Sequence, residues 1–121
     1  MRYTIKTTSV SVSPSTRQYL DKKMKALGKL VSDVDNEIRA DVEIGKTTRH
    51  HLTGEFYRAE VNIHIGKKIL HAEELGRNLN SAIDLMQEEI AKELRRHIDR
   101  QTSLVRKGGR DLKERVRDSR A

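Results

Sequence analysis

Two stretches of this 121-residue chain repeat cations at helical spacing. In the first, Arg17, Lys22, Lys23, Lys25 and Lys29 stand against a single Asp21. In the second, Lys92, Arg95, Arg96 and Arg100 stand against Glu93 and Asp99. Ammonium and guanidinium groups in such rows neutralise phosphates, the guanidinium through paired parallel hydrogen bonds. The chemistry on offer is contact with a polyanion rather than bond-making, and Arg106 and Lys107 extend it toward the C-terminus.

Residue types that make or break bonds are poorly placed. The chain has no cysteine, which excludes a thiol nucleophile, a disulfide framework and a cysteine metal site. It has no phosphate-binding glycine loop, no nucleophile elbow and no carboxylate pair that periodicity leaves unexplained. Glu73-Glu74 and Glu88-Glu89 fit solvated positions on a strand end and a helix surface. His50-His51 lacks a third ligand in sequence reach, so a metal site is not expected there. His64 and His71 fall on outward strand positions. His97 lies beside the basic helix end, where partial protonation would add charge next to a phosphate. No enzyme activity, cofactor or small-molecule substrate is expected.

The whole composition agrees. Lys+Arg 25 against Asp+Glu 18 gives a formal net charge of +7, which favours nucleic acid first and anionic membrane surface second. Charge that only maintains solubility is the plainer alternative. A chain of this length forms one domain with a modest core. The N-terminus MRYTIKTTSV lacks the apolar run of a signal peptide, and no segment approaches a bilayer span, so the expected location is cytoplasmic.

The elements that position the cations follow from apolar spacing. Arg2 to Val12 reads as a strand with Tyr3 and Ile5 on one face. Ser13-Pro14 starts a helix expected over Pro14 to Leu30, with a stripe of Leu20, Met24, Leu27 and Val31 and the lysines on another face. Glu37 to Ile44 and Phe56 to Ile65 alternate strictly and predict half-buried strands. Gly66-Lys67 suits a type II′ hairpin leading to a shorter strand through Leu70 and Ala72. GKTTRHHLTG, Gly45 to Gly54, reads as an exposed loop between the second and third strands. The strongest helix signal is NLNSAIDLMQEEIAKELRRHIDR, Asn78 to Arg100. Its Leu79, Ile83, Met86, Ile90, Leu94 and Ile98 make one packing face. Gly108-Gly109 predicts a break, and residues 101–121 read as a basic tail that is flexible or conditionally helical. The predicted fold is therefore α+β, ordered β-α-β-β-β-α, with a four-stranded sheet and both helices on one face.

Two helices covering one face would merge their exposed sides into a broad positive surface. The chain holds three tyrosines and one phenylalanine, and the inward pattern claims Tyr3 and Tyr57, so a base-stacking platform is poorly supplied. Phosphate contact with folded RNA, read by shape, is the better fit.

GEFYRAEVNIHIGKKILHAEE (Gly54 to Glu74) and SAIDLMQEEIAKELRRHIDR (Ser81 to Arg100) carry a more particular pattern. Ala82-Ile83-Asp84 is followed by Leu94, His97 and Asp99 at fixed spacing. In these residues the chain resembles the ribosome hibernation-promoting factor family, also called ribosome-associated inhibitors or sigma-54 modulation proteins, from the first strand through about Arg100. The resemblance implies a fold similar in layout to double-stranded-RNA-binding domains. It also implies binding to the small ribosomal subunit in the channel used by messenger and transfer RNA, so that idle ribosomes stay inactive. Arg17, Lys23, Lys92, Arg96 and Arg100 would contact ribosomal RNA on that basis, while Lys22, Lys25, Lys29, Arg95, Arg106 and Lys107 join them from charge and geometry. The free protein is expected to be a monomer of the short form, with residues 1–100 as the binding domain. Ala26, Glu89, Glu93 and Asn80 depart from the family pattern. An RNA-binding protein without ribosome specificity is the main alternative, and a small-molecule enzyme a distant one.

Overall fold

Strands form where apolar alternation is strict, and helices where it lengthens to three and four. The computed structural model has β1 (Arg2–Thr8), α1 (Pro14–Leu30), β2 (Ile38–Thr47), β3 (Phe56–Ile65), β4 (Lys68–Gly76) and α2 (Leu79–Arg120) in that order. It describes residues 1–32, 37–47 and 56–104 in full and residues 105–120 as backbone. The sheet order is β1-β2-β3-β4, with β1 parallel to β2 and the other pairs antiparallel. The predicted α+β class and element order hold.

Both helices cover one face. Ala40, Val42, Ile44, Ala59, Val61, Ile63 and Ile65 point into the core from the two central strands. They meet Leu20, Met24 and Leu27 of α1 and Ile83, Met86, Ile90 and Leu94 of α2, all fully buried. Each helix has a side-chain cap. Ser13 Oγ accepts from Thr16 N at 3.2 Å behind Pro14, and Asn78 Oδ1 accepts from Ser81 N at 2.8 Å. Gly76 ends β4 where a Cβ would stand 2.6 Å from Ala82 N, so glycine there lets α2 lie close on the strand.

Four boundaries differ from the sequence reading. β1 stops at Thr8 rather than Val12, because Ser9 takes a left-handed φ of 56° and turns the chain out of the sheet. The loop expected from Gly45 begins later, since Gly45, Lys46 and Thr47 extend β2 and pair with Arg58, Tyr57 and Phe56. The rest of that loop, with Arg49, His50 and His51, lies outside the described residues. β4 runs to Gly76, longer than the short strand expected. The helix break expected at Gly108-Gly109 is absent, and the backbone of α2 continues to Arg120. Two glycines cost about 1 kcal/mol each in a helix, and the Arg, Lys, Leu and Glu residues around them are strong helix formers.

The Gly66-Lys67 turn is as expected. Gly66 has φ 59° and Lys67 does not share a positive φ, the combination of a type II′ hairpin.

Candidate nucleic-acid interface

The two helices run in the same direction. Thr16 of α1 and Leu79 and Asn80 of α2 line one cleft, and farther along Lys23 Nζ meets Asp84 Oδ1 at 3.2 Å. At 1.5 Å of rise per residue, Lys29 is then level with about Lys92, and the rest of α2 projects beyond the end of α1. The cations of both helices thus belong to one layer.

On α1, Lys22, Lys25 and Lys29 are exposed along an open groove of about 530 Å³ with Gln18, Asp21 and Ala26. None of these lysines has an acidic partner among the described residues. Arg17 lies 3.7 Å from Asp21, whose carboxylate also accepts the Tyr3 hydroxyl at 2.6 Å. That hydroxyl bond is the main reason the Tyr3 pKa is raised.

Lys23 differs from its neighbours. It is half-buried, pairs with Asp84 and sits 5.4 Å from the centre of the Tyr19 ring. The Tyr19 hydroxyl donates to the same Asp84 carboxylate. Lys23 therefore bridges the helices, and its contact with a phosphate would compete with that bridge. The Tyr19 hydroxyl, then Lys23, hold the Asp84 pKa below the usual carboxylate value, and the bond to Asp84 raises that of Lys23. Because folding lowers this carboxyl pKa, the ionised form favours the folded state. Its contribution is complete above the ordinary value of 3.8 and is lost as pH falls below it. Asp84→Ala should cost about 1–2 kcal/mol, since the group is partly solvated. Urea midpoints at pH 7 and pH 3 check this: the gap between wild type and variant should narrow at the lower pH.

On α2 the cations fan around the helix. With 100° per residue, and with Asp84 marking the side toward α1, Arg95 turns toward α1 and Lys92 takes the solvent crest. Arg96 and Arg100 fall on the opposite flank, above the β3–β4 hairpin. Lys92 pairs with Glu89 at 3.3 Å and Arg96 with Glu93 at 3.2 Å. Exposed pairs of this kind contribute about 0–1 kcal/mol, so a phosphate can displace either carboxylate at small cost. Arg95 and Arg100 have no acidic partner among the described residues. The side chains of Arg106 and Lys107 lie outside the described residues.

The opposite sheet face has a different character. Arg58 contacts Glu43 at 3.2 Å, Glu60 at 3.0 Å and Glu73 at 3.3 Å, and His64 lies 3.1 Å from Asp41. Arg39 also lies 3.8 Å from Asp41 and His71 4.0 Å from Glu60, so these four carboxylates are met by two arginines and two imidazoles. Glu60, His71 and Glu73 bring three ligand atoms within 4.8 Å of one another, the one candidate metal set among the described residues. Arg58 already occupies both carboxylates, so a cation would have to displace it. Apart from Arg39–Asp41 and Arg58–Glu60, each two residues apart on one strand, these contacts were not legible in sequence, because they join strands across the register rather than along the chain.

His97 also departs from expectation. Burial, then Lys68 and Arg100, lower its pKa, so the free protein disfavours the partial protonation that the sequence suggests. The proximity of Lys68 was missed. Its signal was the Gly66-Lys67 turn, which sends β4 back beneath α2.

The fold has solved relatives. The chain is similar to the Thermus thermophilus Protein Y N-terminal domain, with TM-score 0.63 and 23% identity over 80% of this chain and 99% of that one. It is also similar to a ribosomal subunit interface protein from Coxiella burnetii, with TM-score 0.60 and 15% identity over 82% of this chain and 99% of that one. No curated protein sequence matches. Residues 3–102 match the family model described as sigma 54 modulation protein / S30EA ribosomal protein. With that match spanning most of the sequence and the expected element order in place, the chain belongs to the sigma 54 modulation protein / S30EA ribosomal protein family.

Proposed function

We propose that the protein binds the small ribosomal subunit in the channel used by messenger and transfer RNA and keeps idle ribosomes inactive. It acts by occupying space and neutralising phosphates, with no chemical step. The observation that carries this reading is the polarity of the fold. One layer presents Lys22, Lys25, Lys29, Arg95 and Arg100 without acidic partners among the described residues, while on the opposite sheet face Asp41, Glu43, Glu60 and Glu73 are paired with Arg39, Arg58 and His64. A phosphate-rich channel would attract the first, with its unpaired cations, more strongly than the second, whose charges already satisfy one another, which favours one orientation. Membership of a family described by a ribosomal protein, and a neighbour titled a ribosomal subunit interface protein, support a ribosomal partner. Among the described residues no helix is long and apolar enough to cross a membrane.

Co-sedimentation with purified small subunits tests the proposal. Binding should saturate at one protein per subunit and weaken with salt, with a log–log slope of about −4 if roughly five phosphates are neutralised. A basic helical layer alone would also serve a general binder of structured RNA. Competition by an equal mass of unrelated duplex RNA, as effective as free subunits, would favour that second reading and sink the ribosomal one.

A further inference from the structure

Where α2 passes over the β3–β4 hairpin, Ile65, Gly66, Lys67, Lys68, His97 and Gln101 line a notch of about 320 Å³. The sequence places His97 and Arg100 near a phosphate but gives no sign of Lys67, Lys68 and Gln101 joining them around one recess. Its charge is one-sided among the described residues: Lys67 comes from the turn, Lys68 from β4 and Arg100 from the adjoining flank of α2, no described carboxylate lines it, and Glu37, in the recess on the other side of Gly66, is paired with Arg2. The nearest acidic residues on α2 do not relieve it. Glu93, one turn earlier on the same flank, is engaged by Arg96 at 3.2 Å, and Asp99 projects about 160° away around the helix.

His97 supplies the second observation. Its Nδ1 is buried and has no hydrogen-bond partner, whereas Nε2 is not sealed in this way. A histidine whose Nδ1 is held by a carbonyl or carboxylate has its tautomer fixed; this ring has no such anchor, so the proton can reside on Nε2 and be donated outward. Gln101 adds an amide donor at the same rim.

We propose that this notch is an oxyanion site that takes one phosphate group, with Lys67, Lys68 and Arg100 supplying charge and His97 Nε2 and Gln101 supplying hydrogen bonds. It lies on the side of α2 away from α1, so a phosphate there is separate from any bound along α1. The inference rests on the RNA reading only for the source of its phosphate, a nucleic-acid backbone or a free phosphate compound. An anion in the notch counters Lys68 and Arg100, the groups that with burial keep His97 neutral. Occupancy therefore favours the imidazolium, and binding takes up a proton. Affinity should rise as pH falls through the His97 pKa of the occupied state.

The test is NMR of the histidine ring nitrogens in the full ¹⁵N-labelled chain. Sodium sulfate is titrated at constant ionic strength, since sulfate mimics phosphate without itself titrating near neutrality. The His97 signals should move saturably, more tightly at about pH 5.5 than at about pH 7.5. The double variant Lys67→Gln, Lys68→Gln should bind sulfate about tenfold more weakly. Both lysines are exposed, so this variant keeps the fold. A short RNA duplex that moves the same signals identifies backbone phosphate as the source. Movement with sulfate but not with duplex supports the notch and identifies a free phosphate compound. If neither probe moves His97, or the double variant binds both equally well, the site does not exist. Sulfate shifting His97 in a protein that fails to sediment with subunits would overturn the ribosomal proposal and leave the notch standing.

Discussion

Replacing Lys92, Arg96 and Arg100 together by glutamate is expected to abolish binding to small ribosomal subunits at physiological salt and to leave the urea midpoint nearly unchanged. The three side chains are exposed and none contributes to the core, so the fold loses little. The partners they leave are Glu89 and Glu93, and new like-charge neighbours on a helix surface cost about 0.2–0.5 kcal/mol each. Binding is another matter. Three lost phosphate contacts become three repulsive ones, and since each neutralised phosphate releases a counterion, the affinity should drop by about three orders of magnitude or more. Sedimentation reads the binding, and far-ultraviolet circular dichroism with a urea titration reads the fold. Full binding by the triple variant would remove α2 from the interface. Loss of helical signal would mean that these positions pack rather than face solvent.

That prediction could be framed from sequence because the face of α2 is a local property. The apolar steps from Leu79 to Ile98 fix which side is buried, and every residue between them is then assigned by angle. The same holds for Phe56 to Ile65, whose strict alternation gave the strand to the residue. Local chemistry also marked Ser13 and Pro14 as the start of α1.

What the sequence hid is tertiary. Lys23 and Lys25 look alike in a charge count, yet one bridges to Asp84 on the neighbouring helix and the other faces an open groove. Nothing within α1 distinguishes them except their angle relative to α2, which depends on how two helices sit on the sheet. Arg58 presents the same difficulty: Glu60 is two residues away on β3, but only the register brings Glu43 of β2 and Glu73 of β4 to the same guanidinium. The end of α2 was misjudged for a different reason. A pair of glycines reads as a stop signal by type, whereas a long helix already nucleated by packing loses only a modest amount at each glycine and continues. β1 was overextended because Val10 and Val12 suit a strand by type, while the left-handed Ser9 removes them from it.

Ile90→Ala is expected to do the reverse of the charge reversal. Ile90 is fully buried where α2 crosses the sheet, in a core shared with Ile83, Met86 and Leu94. Removing three methyl or methylene groups forfeits their transfer free energy and leaves a cavity that neighbouring β-branched side chains fill poorly, a loss of about 2–5 kcal/mol. For a domain of this size that is a large share of the whole stability, so the urea midpoint should fall markedly. The charged side of α2 stays as it was, and the fraction of molecules still folded should bind subunits with unchanged affinity and an unchanged salt slope. Binding measured at low temperature against a folded fraction obtained by circular dichroism separates the two quantities. If affinity per folded molecule fell together with stability, the buried and exposed faces of α2 would be coupled, and RNA contact would depend on how tightly the helix is seated on the sheet. An intact affinity instead assigns the helix two independent roles on two faces: Ile90 anchors it in the core, and Lys92, two residues on, presents its charge to solvent.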